Sequence, residues 1–358
     1  MKALKFASIF ACCFLFLFLI GSAQSAEKQV VVNLMIDADV PPSPSEEQGY
    51  QTEAMLNAML TEIEGNTLGA TIISTQDVLA TYTRMRITRI GANPKFELAM
   101  SGNNSNEKLS TESYAKQKDV LERSKKYTEG CKYCGINEIT VSGFMPQSFD
   151  QNADTYKVLD DLGIQYDAGY QAGIIYAPGH ELDVWPYKVE GHQFYAVPVS
   201  TYNLSGKLVP LQDKYFNGSD LGSNAWYDAL TGKFDEAQKN GQPVVIALTT
   251  SVSGSGNYLD ALKRFLNFAL TNKASFVTTM DLVNMTRIDG DHPVASLTKE
   301  CPTCGKKDNN IVITVSQNNT TEPASIEAAA ISKWKNSTYF APLFFGAYRC
   351  LFALRLGK

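Results

Sequence analysis

The residues of this 358-residue chain best suited to chemistry are two acids, Asp37 and Asp39, which close the stretch VVVNLMIDADVPP at positions 30–42. Carboxylates two apart can take up protons, accept sugar hydroxyls or hold a hard cation. The β-branched and apolar run before them is long enough for a buried parallel strand and too short for a helix. Where strands and helices alternate around a barrel, chemistry sits where strands end and loops begin. The competing reading is a plain turn before Pro41 and Pro42. A second set is Cys131 and Cys134 in CKYCG with Cys301 and Cys304 in CPTCG. In a reducing compartment these read as zinc knuckles, and in an oxidising one as disulfides. Cys350 is left over, and His180, His192 and His292 are scattered without ligand spacing. Of the three, His180, in PGHELD, is the best placed to swing into a rebuilt site.

The elements that must position these residues alternate along most of the chain. Strands are expected at 30–36, 69–74, 96–100, 136–144, 164–168, 194–199, 243–248 and 274–280, and helices at 50–63, 78–90, 113–127, 152–162, 226–237 and 258–270. Alternation of this kind implies parallel strands joined by helical crossovers. The turn-rich region 170–214 resists assignment. Residues 1–26 carry Lys2 and Lys5, an apolar core and a small-residue end, the pattern of a secretory signal peptide. Its removal takes the formal net charge from -5 to -7. Mild acidity with no basic run excludes a nucleic-acid partner. Sequons at Asn103, Asn203, Asn217, Asn284, Asn318, Asn319 and Asn336 suit an exported surface. From 289 to 358 the alternation stops. That part holds the second cysteine motif, a polar linker and an apolar tail whose Arg349 and Arg355 oppose a membrane span and favour packing or interfacial contact.

Taken in order, these pieces resemble the polysaccharide deacetylase (NodB-homology) family of carbohydrate esterases, over residues 27–288. MIDADVP resembles its first motif. Residues 97–126, ELAMSGNNSNEKLSTESYAKQKDVLERSKK, resemble the second, and GFMPQSFDQNADTYKVLDDLGIQYDAG at 143–169 the third. VPVSTYN and VVIALTT resemble the last two. The resemblance implies an α/β fold, an irregular (β/α)7 barrel, and removal of acetyl groups from N-acetylated sugars with a divalent metal. It makes Asp37 the equivalent of the general base and Asp39 that of the metal-binding acid.

The departures from the family are as informative. Ser101 and Ser105 stand where the family has its metal-binding histidines, Met145 where it has arginine, and Thr249 where it has its last histidine. One carboxylate and two hydroxyls make a poor hydrolytic metal site, which needs three protein ligands and an open position. The expectation is therefore a secreted or extracytoplasmic, cell-surface-associated protein that acts on or binds a carbohydrate polymer. It needs no cofactor and has lost hydrolysis, so Asp37 is vestigial as a base. Met145, Thr249 and Tyr202 would line the remaining groove, with Asp37, Asp39, Tyr176, Trp185 and Tyr195 as further sugar contacts. Two alternatives stand beside it: an active zinc-dependent deacetylase with a rebuilt site, and a non-enzymatic surface structural protein. Serine being smaller than histidine, an open space is expected beside Ser101 and Ser105 unless Asn103 or Asn104 fills it.

Overall fold

The first strand, β1 (Val31–Ala38), is buried on both faces: Val32, Leu34, Met35 and Ile36 are fully enclosed. A strand with no polar face must lie inside a layered sheet. The structure is a computed structural model and describes residues 29–41, 44–81, 90, 93–129 and 139–289.

After β1 the chain runs through α1 (Glu46–Gly65), β2 (Ala70–Ser74), α2 (Gln76–Thr81), β3 (Phe96–Met100), α3 (Tyr114–Glu129), β4 (Gly143–Phe144), α4 (Ala153–Asp161) and β5 (Tyr166–Gln171). It continues as β6 (Tyr187–Lys188), β7 (Tyr195–Val199), β8 (Thr201–Leu204), β9 (Lys207–Pro210), α5 (Asp213–Gly218), α6 (Gly222–Asn240) and β10 (Val244–Thr249). The last elements are α7 (Thr250–Ser253), α8 (Gly256–Thr271), β11 (Ser275–Val277) and α9 (Thr279–Asp289). The main sheet has the order β10-β1-β2-β3-β4-β5-β7-β6, and β11 also pairs with β1. Every pairing in it is parallel except β6 with β7. Beyond β7 the Ser200 amide donates to the Val245 carbonyl of β10, which draws the two ends of the sheet together. The result is an irregular barrel of parallel strands with helices outside it, the expected fold class.

Helix ends follow local chemistry. Ser45 and Gln48 form a capping box at the start of α1, and Asn152 with Thr155 does the same for α4. Gly241, at φ 67°, stops α6 in the left-handed conformation that glycine tolerates.

Two expectations need correction. The strand expected at 136–144 amounts, among the described residues, to Gly143–Phe144; residues 139–142 are not strand. The strand expected at 274–280 is three residues long, because Thr279 turns into the unanticipated helix α9. The unassigned region holds a hairpin, β8–β9, and the short helix α5. Residues 1–26, 82–89 of the second expected helix, all four motif cysteines, Cys350, His292 and the tail from 290 lie outside the described residues. No helix of the described residues is long and apolar enough to cross a membrane.

Candidate functional site

The parallel register brings the C-terminal strand ends to one mouth. Asp37 ends β1 directly opposite Thr249 of β10, and Ser101 and Met145 follow β3 and β4. Between them lies a cavity of about 30 Å³, lined by Asp37, Met35, Met145, Gln147, Lys214 and Thr249 among others. A water needs about 10–15 Å³ of such space, so two or three fit.

Its acidic wall is Asp37. The side chain is half-buried, and protein surrounds its carboxyl except toward the cavity. Desolvation, helped by the negative charge of Asp39, pushes its pKa up to about 6, while the Lys214 ammonium and a Gln147 hydrogen bond pull the other way. The Gln147 side-chain amide donates to Asp37 Oδ1 at 3.3 Å and to Ser101 Oγ at 2.9 Å. Ser101 is fully buried, and the space expected beside it is filled by Gln147 and not by Asn103 or Asn104.

Gln147 is held by the loop after β4. Ser110 donates its backbone N–H and its hydroxyl to Asp150, and Asn152 donates back to the Ser110 carbonyl. Within that loop Ser148 and Phe149 sit at φ 54° and 58°. Two consecutive non-glycine residues in the left-handed region store strain, and such strain gathers at functional sites.

Lys214 comes from α5. The preceding Asp213 is fully buried, and burial pushes its carboxyl up to about 7. That carboxyl accepts from the Thr249 amide at 2.7 Å, the Ser253 hydroxyl at 2.6 Å and the Lys214 amide at 2.6 Å. The Ala247 amide donates to the Leu211 carbonyl as well, so the start of α5 is fastened along β10. This seats Lys214 on the cavity wall.

Asp39 is engaged elsewhere. Both its oxygens accept from Ser251, from the amide at 2.9 Å and the hydroxyl at 2.7 Å, across the start of α7. Ser105 donates to the Val40 carbonyl at 3.0 Å. The residues present do not fit a divalent metal. The expected ligand carboxylate is bound to serine, and an N–H points at both Asp37 and Ser101 where a cation would need their lone pairs. Among the described residues no group of three or more His, Cys, Asp or Glu side chains is arranged to hold a metal.

The structure thus brings Asp37, Met145 and Thr249 together on one cavity, with Ser101 behind Gln147. It does not bring Tyr202 there: its hydroxyl lies 2.6 Å from where a Cβ would stand on Gly232 of α6. Trp185 donates to the Gly241 carbonyl beyond α6, and Tyr195 packs under Lys188 and Arg287. His180 stacks on Tyr187 and pairs with Asp183, and His192 pairs with Asp160. Neither lines the cavity. Sequence reasoning missed Gln147 and Lys214. Gln147 lay inside the third motif, two residues past Met145, where a polar side chain after a Pro-containing strand end was a usable signal. Lys214 lay in the unassigned region and left no such signal.

Neither a protein-family model nor a curated protein matches the sequence. Solved structures do match. A protein described as a polysaccharide deacetylase from Mycobacterium smegmatis superposes with TM-score 0.59 at 14% identity, over 76% of this chain and 95% of that one. Another from Pseudomonas aeruginosa PAO1 gives 0.57 at 12% identity, over 75% and 94%. The PuuE allantoinase gives 0.56 at 14%, over 75% and 93%. The chain has the polysaccharide deacetylase fold, and it spans nearly the whole of each of these proteins.

Proposed function

We propose that this is an exported protein of the deacetylase fold that engages carbohydrate polymers outside the cell and no longer carries out metal-dependent N-deacetylation. The fold supports the carbohydrate part of the reading, since two of the similar structures are described as polysaccharide deacetylases. The observation that carries the loss is the hydrogen bonding at the mouth. Ser251 takes both oxygens of Asp39, and the Gln147 amide spans Asp37 and Ser101. A functioning metal centre needs the Asp39 carboxylate and the side chain at position 101 as ligands with their lone pairs open.

The test is acetate release from N-acetylated chitin oligosaccharides by the purified chain with zinc, cobalt or nickel added. No release is expected. Metal-dependent release that disappears in Asp37→Asn would overturn the proposal and restore the enzyme with a rebuilt site. Retardation in native gels containing cell-wall polysaccharide is expected, and its absence with every polymer tried would remove the glycan-engaging half.

A further inference from the structure

We propose that Lys188 and Arg287, gathered on the ring of Tyr195, bind an anionic group of an acidic polysaccharide at the end of the barrel away from the mouth. The group is a uronate carboxylate or a sulfate ester. The inference rests on the reading above, that the chain engages carbohydrate polymers, and names the class of polymer.

Three elements far apart in the chain meet there. Tyr195 begins β7, and Lys188 pairs with it from the antiparallel strand β6. Arg287 comes from the last turn of α9. The Lys188 ammonium stands 5.2 Å and the Arg287 guanidinium 4.8 Å from the centre of the Tyr195 ring. Both cations are exposed, and the ring beneath them is half-buried.

Positive charge is in excess at this place. Among the described residues neither cation is in an ion pair. The acid that does act on Lys188 is Asp160, and its oxygens are committed elsewhere. One lies 2.7 Å from His192 Nδ1, and the other accepts from the Gln193 amide at 2.7 Å. Desolvation, and then the charge of Arg287, lowers the Lys188 pKa, as expected where like charges are crowded. An anion lying against both cations relieves that repulsion.

The donors are held ready for it. Lys188 gives one N–H to the Gln193 carbonyl and keeps two. Arg287 gives Nη1 to Gln165 Oε1 at 3.1 Å and to Asn284 Oδ1 at 3.4 Å, which fixes the guanidinium and leaves Nη2 and Nε. Such a fork matches the paired oxygens of a carboxylate or sulfate. The site is two charges wide on a chain of formal net charge -5, so it takes a single anionic group and not an extended anionic membrane surface.

The experiment is calorimetric titration of the full chain at low salt with alginate and chondroitin sulfate oligosaccharides. Neutral cello-oligosaccharides of the same length, free galacturonate, inorganic phosphate and phosphatidylserine vesicles are the comparators. The acidic oligosaccharides should bind at least tenfold more tightly than the neutral ones, and added salt should weaken them. Affinity should fall at least tenfold in Arg287→Met and threefold in Lys188→Met, and be partly kept in Arg287→Lys. Lys263→Met, which removes a cation of α8 paired with Glu62, should leave it unchanged. Circular dichroism confirms that each variant is folded. Full affinity in Arg287→Met, or an equal loss in Lys263→Met, overturns the site. Galacturonate or phosphate binding as tightly as the oligosaccharides, or vesicles binding in their stead, overturns the polymer assignment. Binding of neutral polymers alone overturns the inference and leaves the carbohydrate reading standing, and binding of no polymer overturns both.

Discussion

Two carboxyl groups with raised pKa sit at opposite ends of the barrel strands, and their surroundings differ. Toward the N-terminal ends, Glu97 of β3 accepts from the Thr71 hydroxyl at 3.1 Å, the Tyr166 hydroxyl at 2.8 Å and the Met280 amide at 2.9 Å. Thr279 joins this network through Thr71 and Asn33, so the first turn of α9 closes the floor of the barrel. Burial still raises the Glu97 pKa against those hydrogen bonds. At the mouth, Asp37 has a single long side-chain hydrogen bond from Gln147, faces a cavity and lies beside a backbone held in a strained conformation. A buried acid saturated with donors is fastening elements together. One left open to a cavity, with a cation across from it, is available to a ligand. A raised pKa is common to both, so partners and open space separate structure from function here.

The largest effect expected from breaking this comparison is on the floor. Glu97→Ala leaves the Tyr166 hydroxyl and the Met280 amide without their acceptor and opens a void. At about 1–3 kcal/mol for each stranded group, it should cost about 3–5 kcal/mol in urea unfolding. A loss below about 1 kcal/mol would mean that the floor network is not what holds α9 against the barrel.

At the mouth the sign reverses. The folded-state pKa of Asp37 is raised from 3.8 to about 6, so the folded state holds its proton more tightly than the unfolded chain. The stability this contributes is fully present below about pH 4 and is lost as pH rises through about 6. Asp213 and Asp167, both pushed up to about 7 by burial, extend the decline to that pH. Asp37→Asn should match the parent at pH 4 and exceed it at pH 8 by about 1 kcal/mol, less than the full shift converts to because the carboxyl opens to the cavity. Thermal unfolding across that range measures it; a variant less stable than the parent at pH 8 would place Asp37 with Glu97 as a fastening group.

The smallest effect concerns the strained loop. Ser148 is exposed at φ 54°, where glycine is at ease, so Ser148→Gly should stabilise by about 0.5–1 kcal/mol. Urea unfolding measures it; a variant less stable than the parent would mean that the left-handed backbone at Ser148 is not strained.

Much of the barrel was legible in order. The apolar run of β1 and the bounds of β3 depend on neighbours within a few residues, which the sequence displays directly, whereas α1 begins four residues before the expected position 50. α9 was not legible, since Thr278 and Thr279 gave no clear stop to the strand before it and the acceptor that greets its first amides, Glu97, lies 183 residues away. The same division runs through the site. The sequence by itself determined that Asp37 and Asp39 close an apolar run fit for a buried strand, and its resemblance to the deacetylases gave only the expectation that Ser101, Ser105, Met145 and Thr249 stand where a metal centre would have its groups. Only the tertiary structure decided that Asp39 serves Ser251, that Gln147 fills the space at Ser101, that Tyr202 packs on α6, and that Lys214 faces Asp37. Those are choices among partners far apart in the chain. A side chain's type sets which bonds it can make, but the packing of β1 between β2 and β10 and the docking of α5 along β10 set which atoms come within reach.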